Sequence, residues 1–319
     1  MTPDIISLGE LLVEIMRTEL NTPHGVTGAD YRGPFPSGAP AIFIDSASRM
    51  GKPFGFTTGF IGVVGNDEFG ATIIEKLEKD GVDVSQIRIS DTETTGIAFN
   101  QYNSDSSRKF IFAPGAAGKT TSSDIRNFYF EGIKCLHIMG SALSISKNSR
   151  KACYKAIKIA KKKNPNVLIS FDPNLRPELL DLEVILKICR PVLETTEILL
   201  PSGEEAEMLA GINGPIEACK KLLEKGPKII VLKQGKRGCK IFTIDNPNGT
   251  NIEGFKVHEV DPTGAGDSFG GAFVVGYLGG WDLNKTAKFA NIVGALKVKH
   301  FGPMSDITYE EVIELMEKI

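Results

Sequence analysis

The stretch CLHIMGSALSISKNSRKACYKAIKIAKKKNPNVLISFDP, residues 135–173, contains the unit that decides the fold. Its first five residues, Cys135-Leu136-His137-Ile138-Met139, form a nearly continuous apolar run that stops at Gly140. Residues 148–163 then place apolar side chains at helical spacing and end in a lysine-rich turn that suits the negative pole of a helix. Residues 167–171 form a second apolar run, which stops at Asp172-Pro173. Strands with one wet face alternate apolar and polar residues, whereas strands that are apolar throughout are covered on both faces. The spacing therefore predicts a β-α-β crossover in a mostly parallel sheet.

The same order recurs outward along the chain. Ile5–Leu8 leads into Gly9, and residues 60–64 lead into Gly65 with a helix over 69–79. Residues 198–200 lead into Pro201-Ser202-Gly203 with a helix through Leu209, and residues 229–232 into Lys233-Gln234-Gly235. This alternation gives an α/β class with a mostly parallel central sheet between helices. Glycines and polar residues gather just past the strand ends, the edge at which open α/β sheets bind ligands. At 319 residues the chain exceeds the usual domain size, yet α/β cores reach this length with an accessory element. One unit over 1–319 is expected.

Two segments, roughly 12–36 and 93–113, depart from that pattern. They are richer in alternating and β-branched residues, as in Thr94-Thr95-Gly96-Ile97-Ala98-Phe99 and Lys109-Phe110-Ile111-Phe112. They read either as a small β-sheet standing off the core, covering a ligand or pairing with a second subunit, or as ordinary edge hairpins.

Composition narrows the partners. A net charge of −2 with 24% charged residues supplies no field for nucleic acid or an anionic membrane, so a small-molecule partner is expected. No apolar run reaches membrane-spanning length, and the N-terminus lacks a basic leader. The five cysteines form no C-x-x-C pair and no zinc spacing with histidine, which fits free thiols in a reducing cytosol. No G-x-G-x-x-G follows the first strand, so a dinucleotide oxidoreductase is disfavoured.

The chemistry concentrates in Asp261-Pro262-Thr263-Gly264-Ala265-Gly266-Asp267-Ser268-Phe269-Gly270-Gly271-Ala272-Phe273. Gly264-Ala265-Gly266 opens a long apolar helix. Unpaired N–H groups at a helix start, together with the helix dipole, bind anions, and small side chains let a phosphate approach. Asp267 in the first turn would then be placed to accept a proton from a hydroxyl attacking that phosphate. The residues alone also allow a tight turn with a capping acid.

At full length this run resembles the second signature of the PfkB, or ribokinase-like, family of carbohydrate kinases. The similarity continues along nearly the whole chain: Gly9-Glu10, Ser37-Gly38-Ala39-Pro40-Ala41, Gly62-Val63-Val64-Gly65-Asn66-Asp67-Glu68-Phe69-Gly70 as G-x-V-G-x-D-x-F-G, Asp172-Pro173-Asn174-Leu175-Arg176 as D-x-N-x-R, Gly235 with Gly238, and Ala290-Asn291 with Gly294-Ala295. The resemblance implies a ribokinase-like α/β/α core with a small β lid, and ATP-dependent phosphorylation of a sugar. It implies Asp267 as general base, with the amides of Gly264, Ala265 and Gly266 on the transferring phosphoryl group. Glu14, Gly38, Ala39, Asn174 and Arg176 would face the substrate, and Lys233, Gly235, Gly238 and Asn291 would line the nucleotide site; Arg108 is expected to reach the substrate because of its place near the proposed lid, not through the resemblance. Glu205 would hold Mg²⁺, directly or through water. A monovalent-cation requirement and lid-to-lid dimerisation are left open. The stretches 9–14 and 33–41 look most like the branch of tagatose, fructose and 2-keto-3-deoxygluconate kinases, which points to a ketohexose or keto-deoxy sugar.

The sequence departs from the family pattern at Ser37, Ile42, Ser202 and Pro262, and has Glu14 where many relatives have Asp. Residues 113–120, Ala-Pro-Gly-Ala-Ala-Gly-Lys-Thr, also satisfy a loose P-loop and keep a P-loop NTPase as an alternative. Ala replaces its first Gly, however, and the next helix begins near Ser122, past the lysine. A non-catalytic sugar or nucleotide sensor on the same fold is a further alternative.

Overall fold

The computed structural model describes residues 2–104 and 107–318; positions 105 and 106, within the second off-pattern segment, and residues 1 and 319 lie outside the described residues. β1 (Ile5–Leu8) sits inside a nine-stranded sheet. On one side it pairs in parallel with β4 (Thr58–Gly65), which pairs in parallel with the edge strand β5 (Val82–Ser90). On the other side follow β8 (Cys135–Met139), β9 (Leu168–Asp172), β10 (Ile198–Leu199) and β11 (Ile229–Lys233), all parallel. β12 (Gly238–Thr243) and β13 (Thr250–Glu253) complete that edge in antiparallel pairing.

The helices are α1 (Ala39–Gly51), α2 (Glu68–Asp80), α3 (Gly140–Ser144), α4 (Lys147–Lys163), α5 (Leu182–Leu193), α6 (Gly203–Ala210), α7 (Pro215–Leu223), α8 (Ala265–Leu278), α9 (Leu283–Lys297) and α10 (Tyr309–Glu317). β4, β8 and β9 are buried at every residue, as expected of strands covered on both faces. α8 packs between α1 and α9. The helix expected over 148–163 begins at Lys147 because Ser146 caps it, its Oγ accepting the Ser149 N–H at 3.0 Å. β9 runs one residue further than its apolar signal, since Asp172 stays in register opposite Met139.

Gly140, where β8 turns into α3, has a packing reason to be glycine: a Cβ there would sit 1.7 Å from the Pro173 carbonyl oxygen. The ends of β8 and β9 are thereby drawn together. All five cysteines are buried and unbridged.

The two off-pattern segments form a second sheet and not edge hairpins of the first. Its order is β3 (Tyr31–Ser37), β2 (Leu12–Arg17), β6 (Gly96–Tyr102), β7 (Arg108–Ala113). β2–β3 and β6–β7 are antiparallel, and β2–β6 is parallel. Between β2 and β3 the chain is organised by Arg17, whose buried guanidinium donates to the carbonyls of Pro23, His24, Val26 and Ala29 at 2.6–3.1 Å. No helix among the described residues is long and apolar enough to cross a membrane.

Candidate functional site

The strand order reverses direction at β1, with β4 and β5 to one side and β8 to β11 to the other. Crevices open beyond the strand ends at such a switch point. Glu10, just after β1, and Ser141, just after β8, line a cleft there. The second sheet forms its roof. Because side chains alternate along a strand, one face of that sheet presents Leu12 and Glu14 from β2, Ala98 and Asn100 from β6, and Arg108, Phe110 and Phe112 from β7, all lining the cleft. Gly38, Ala39, Arg176 and Asp267 line it as well.

Glu14 is buried between two donors. Ser37 Oγ donates to its Oε1 at 2.5 Å and Asn100 Nδ2 donates to its Oε2. Burial pushes its carboxyl above the ordinary range, opposed by Ser37 and the charge of Arg108. The departure at Ser37 thus supplies a hydroxyl that orients Glu14. Asn100 carried no motif, and its partner lies 86 residues away. Ile42, the other departure on this side, is buried in the cleft wall against Gly264.

A second, larger cleft is lined by Lys233, Gly235, Gly238, Phe255, Phe269 and Asn291, among others. The start of α8 is the wall between the two. Thr263, Gly264 and Asp267 face the first cleft, and Pro262, Ala265 and Gly266 face the second. Asp261 builds this turn, its Oδ1 accepting the Thr263 N–H and hydroxyl at 3.0 and 2.6 Å. Gly264 has φ 77°, and a Cβ there would lie 2.2 Å from the Pro303 carbonyl oxygen. The N–H groups of Gly264, Gly266 and Asp267 find no protein acceptor among the described residues. The Ala265 N–H corrects the sequence-based expectation: it donates to Pro262 O at 3.2 Å, so the open amides are those of Gly264, Gly266 and Asp267.

Asp267 is half-buried. Removal from water holds its carboxyl up at about 6, against the pull of Lys233, Arg176 and Arg108. Asn174 Nδ2 approaches its Oδ1 at 3.5 Å. Asn174 itself has φ 35°, an uncommon backbone state for a residue other than glycine, and its buried Oδ1 has no protein partner among the described residues. Lys233 Nζ forms a 2.5 Å ion pair with buried Asp172 and lies beside Gly266 on the second-cleft side. The carboxylates of Asp172, Glu205 and Asp267 hold the Lys233 ammonium above its ordinary pKa, opposing the effect of its burial.

Glu205 lines neither cleft. Its Oε1 accepts the Leu175 N–H at 3.0 Å and its Oε2 the Ser202 N–H at 2.7 Å, within a reciprocal cap of α6. Ser202 is the helix N-cap, a position where Ser and Asn serve equally. Asn291 also differs in detail from expectation. Its amide donates to the Ile252 and Glu253 carbonyls at 3.3 and 3.0 Å, so it shapes the cleft by holding the end of β13.

Residues 113–120 build no anion cradle. A 3-10 turn over Gly115–Gly118 directs the Ala116, Ala117 and Lys119 N–H groups to Thr94, Pro114 and Ala116 carbonyls, and Lys119 Nζ pairs with Glu93 at 2.6 Å. The P-loop alternative fails for this physical reason.

The description pfkB family carbohydrate kinase matches residues 3–309. The chain is 29% identical over 99% of its length to a 5-dehydro-2-deoxygluconokinase of Clostridium perfringens, covering 93% of that protein. It is 31% identical to a 2-dehydro-3-deoxygluconokinase of Thermoproteus tenax, covering 92% of this chain and 88% of that one. An E. coli protein provisionally named Ribokinase II, solved in complex with ATP and Mg²⁺, superposes with a TM-score of 0.90 at 37% identity, covering 99% of this chain and 100% of that one.

Proposed function

The chain belongs to the pfkB family of carbohydrate kinases, and on that premise we propose that it transfers the γ-phosphoryl group of ATP to a hydroxyl of a ketohexose or keto-deoxy sugar. One observation carries this reading. The amide end of α8 is the partition between a smaller cleft roofed by the second sheet and a larger cleft, and Asp267 lies on the side of the smaller one. The names of the two gluconokinase relatives support the substrate class.

Asp267 accepts the proton of the attacking hydroxyl. The open N–H groups of Gly264, Gly266 and Asp267, with Lys233 beside them, balance charge on the phosphoryl oxygens, where fixed donors cost no reorganisation. Glu14, held by Ser37 and Asn100, and Arg108, Asn174 and Arg176 orient the sugar between Gly38-Ala39 and the roof. The lid excludes water, so hydrolysis does not compete.

Mg²⁺ would be held in hydrated form by Glu205, whose charge acts on Lys233 beside the wall. Each Glu205 oxygen accepts one N–H and keeps a lone pair for a metal-bound water, and Mg²⁺ retains waters readily. When bound it would neutralise phosphate charge. The outer face of the lid, with Tyr31 and Ile111 exposed, is left for a second copy of the chain; sedimentation that finds only monomer removes that part.

A coupled ADP-release screen over ketohexoses, keto-deoxy acids, aldopentoses and nucleosides tests the function. Turnover confined to the last two classes would overturn the substrate class. Nucleotide binding without turnover on any sugar would favour a sensor.

Two further outcomes are expected. Glu14→Ala should raise the sugar KM about 10- to 100-fold with the ATP KM nearly unchanged, because buried polar contacts set hydroxyl selectivity. An equal rise in both would place Glu14 outside the sugar site. The pH profile follows from Asp267, whose carboxyl titrates at about 6. The base works only when ionised, so kcat/KM should be level above that value and fall about tenfold per unit below it. Full activity well below pH 5 would count against it.

A further inference from the structure

Lys297, at the end of α9, is a lysine with no exposed surface, and nothing in the mechanism above uses it. Its Nζ donates to Asp261 O and to His300 O, each at 3.1 Å, and lies 3.8 Å from Asp261 Oδ2. An ammonium is tolerated in the interior only when such oxygens surround it.

The surrounding contacts tie two chain segments. Asp261 uses one carboxylate oxygen to hold Thr263 and the other to accept the Gly302 N–H at 2.7 Å. The Val260 and Asp261 N–H groups donate to Val298 O at 2.7 and 3.0 Å. Pro303, next to Gly302, presses its carbonyl against Gly264. Lys297 therefore sits beneath the turn that aims the open amides of α8, clamping segment 260–264 to segment 298–303.

We propose that Lys297 is a positioning residue that serves as a tethered monovalent cation, holding the 261–264 turn in place and making phosphoryl transfer in this chain independent of alkali ions. Two carbonyls and a carboxylate converging from separate segments are the donors such an ion takes, and here the ammonium occupies their centre. An alkali ion beneath the turn would need these same oxygens, so the residues present do not fit one. The inference rests on assigning the 264–267 turn to the migrating phosphate.

The test compares wild type and Lys297→Ala in chloride salts of tetramethylammonium, Na⁺, K⁺ and NH₄⁺ at fixed ionic strength, with ATP and the sugar that passes the screen. Wild-type kcat should vary less than about twofold across the series. In tetramethylammonium the variant should lose about 100-fold in kcat, the scale of a misplaced charge-stabilising donor, with both KM values changed far less. K⁺ or NH₄⁺ should restore about tenfold or more of that loss, and should raise the variant's melting temperature while leaving wild type unmoved, as ligands of the folded state do.

Activation of wild type by K⁺ would overturn the proposal, as would full activity of the variant without a small cation. A loss that no cation repairs would reduce Lys297 to packing. If the variant does not fold, the wild-type series decides. Asp267→Asn in the same salts separates the premises: if it stays active, the phosphate assignment falls, while the melting temperatures still report on Lys297.

Discussion

Asp267→Asn is expected to lower kcat by about 10³- to 10⁴-fold, the upper range for loss of a general base, with ATP and sugar binding nearly unchanged. The amide keeps the shape of the carboxylate, and its neighbour Asn174 is only weakly engaged at 3.5 Å, so little packing is disturbed. What disappears is basicity. The wild-type carboxyl, raised to about 6 by burial, is ionised at neutral pH yet more basic than a free carboxylate, as proton abstraction near neutrality demands. Lys119→Ala supplies the contrast. Lys119 is half-exposed and paired with Glu93, and an exposed pair of that kind contributes little, so the variant should keep nearly full turnover. Steady-state kinetics on both variants checks the pair; the reverse pattern would move the chemistry to residues 113–120.

Gly264→Ala should cost about 100-fold in kcat and also weaken nucleotide binding, because the donors themselves move. Two effects add. At φ 77° a side chain brings roughly 1–2 kcal/mol of backbone strain. The larger one is that the new Cβ would lie 2.2 Å from the Pro303 carbonyl oxygen, a backbone atom that cannot swing aside, so the turn must shift. Gly280→Ala isolates the clash. Its φ is 80°, yet nothing lies within 4 Å of the added carbon, so it should lose some stability and no activity. Equal activity of the two variants would mean that the turn tolerates displacement.

The large sheet was legible because its central strands are apolar at most positions and end at glycine or Asp-Pro, so both their type and their covered faces could be read locally. The edge strands were harder. β5 is half-exposed along its length, and β13 has a single buried residue. The start of α8 was legible as an anion site because its small residues are contiguous. Its finer geometry was not: the Ala265 N–H turns to Pro262, and the Asp267 N–H takes its place among the open donors. That depends on the φ of one glycine. Glu14 could be singled out by resemblance, but its orientation depends on Ser37 and Asn100, which reach it from two other strands. Such contacts leave no spacing in the sequence. Asn291 and Ser202 show the converse. Motif position placed them near the ligands, and the folded chain uses their side chains on backbone carbonyls and a helix end.

A crystal structure with a non-hydrolysable ATP analogue, Mg²⁺ and the accepted sugar tests the central claim most directly. The terminal phosphate should lie against the N–H groups of Gly264, Gly266 and Asp267, with one sugar hydroxyl within hydrogen-bonding distance of the Asp267 carboxylate. A terminal phosphate bound away from the start of α8, or a sugar whose hydroxyls all lie beyond reach of Asp267, would contradict it.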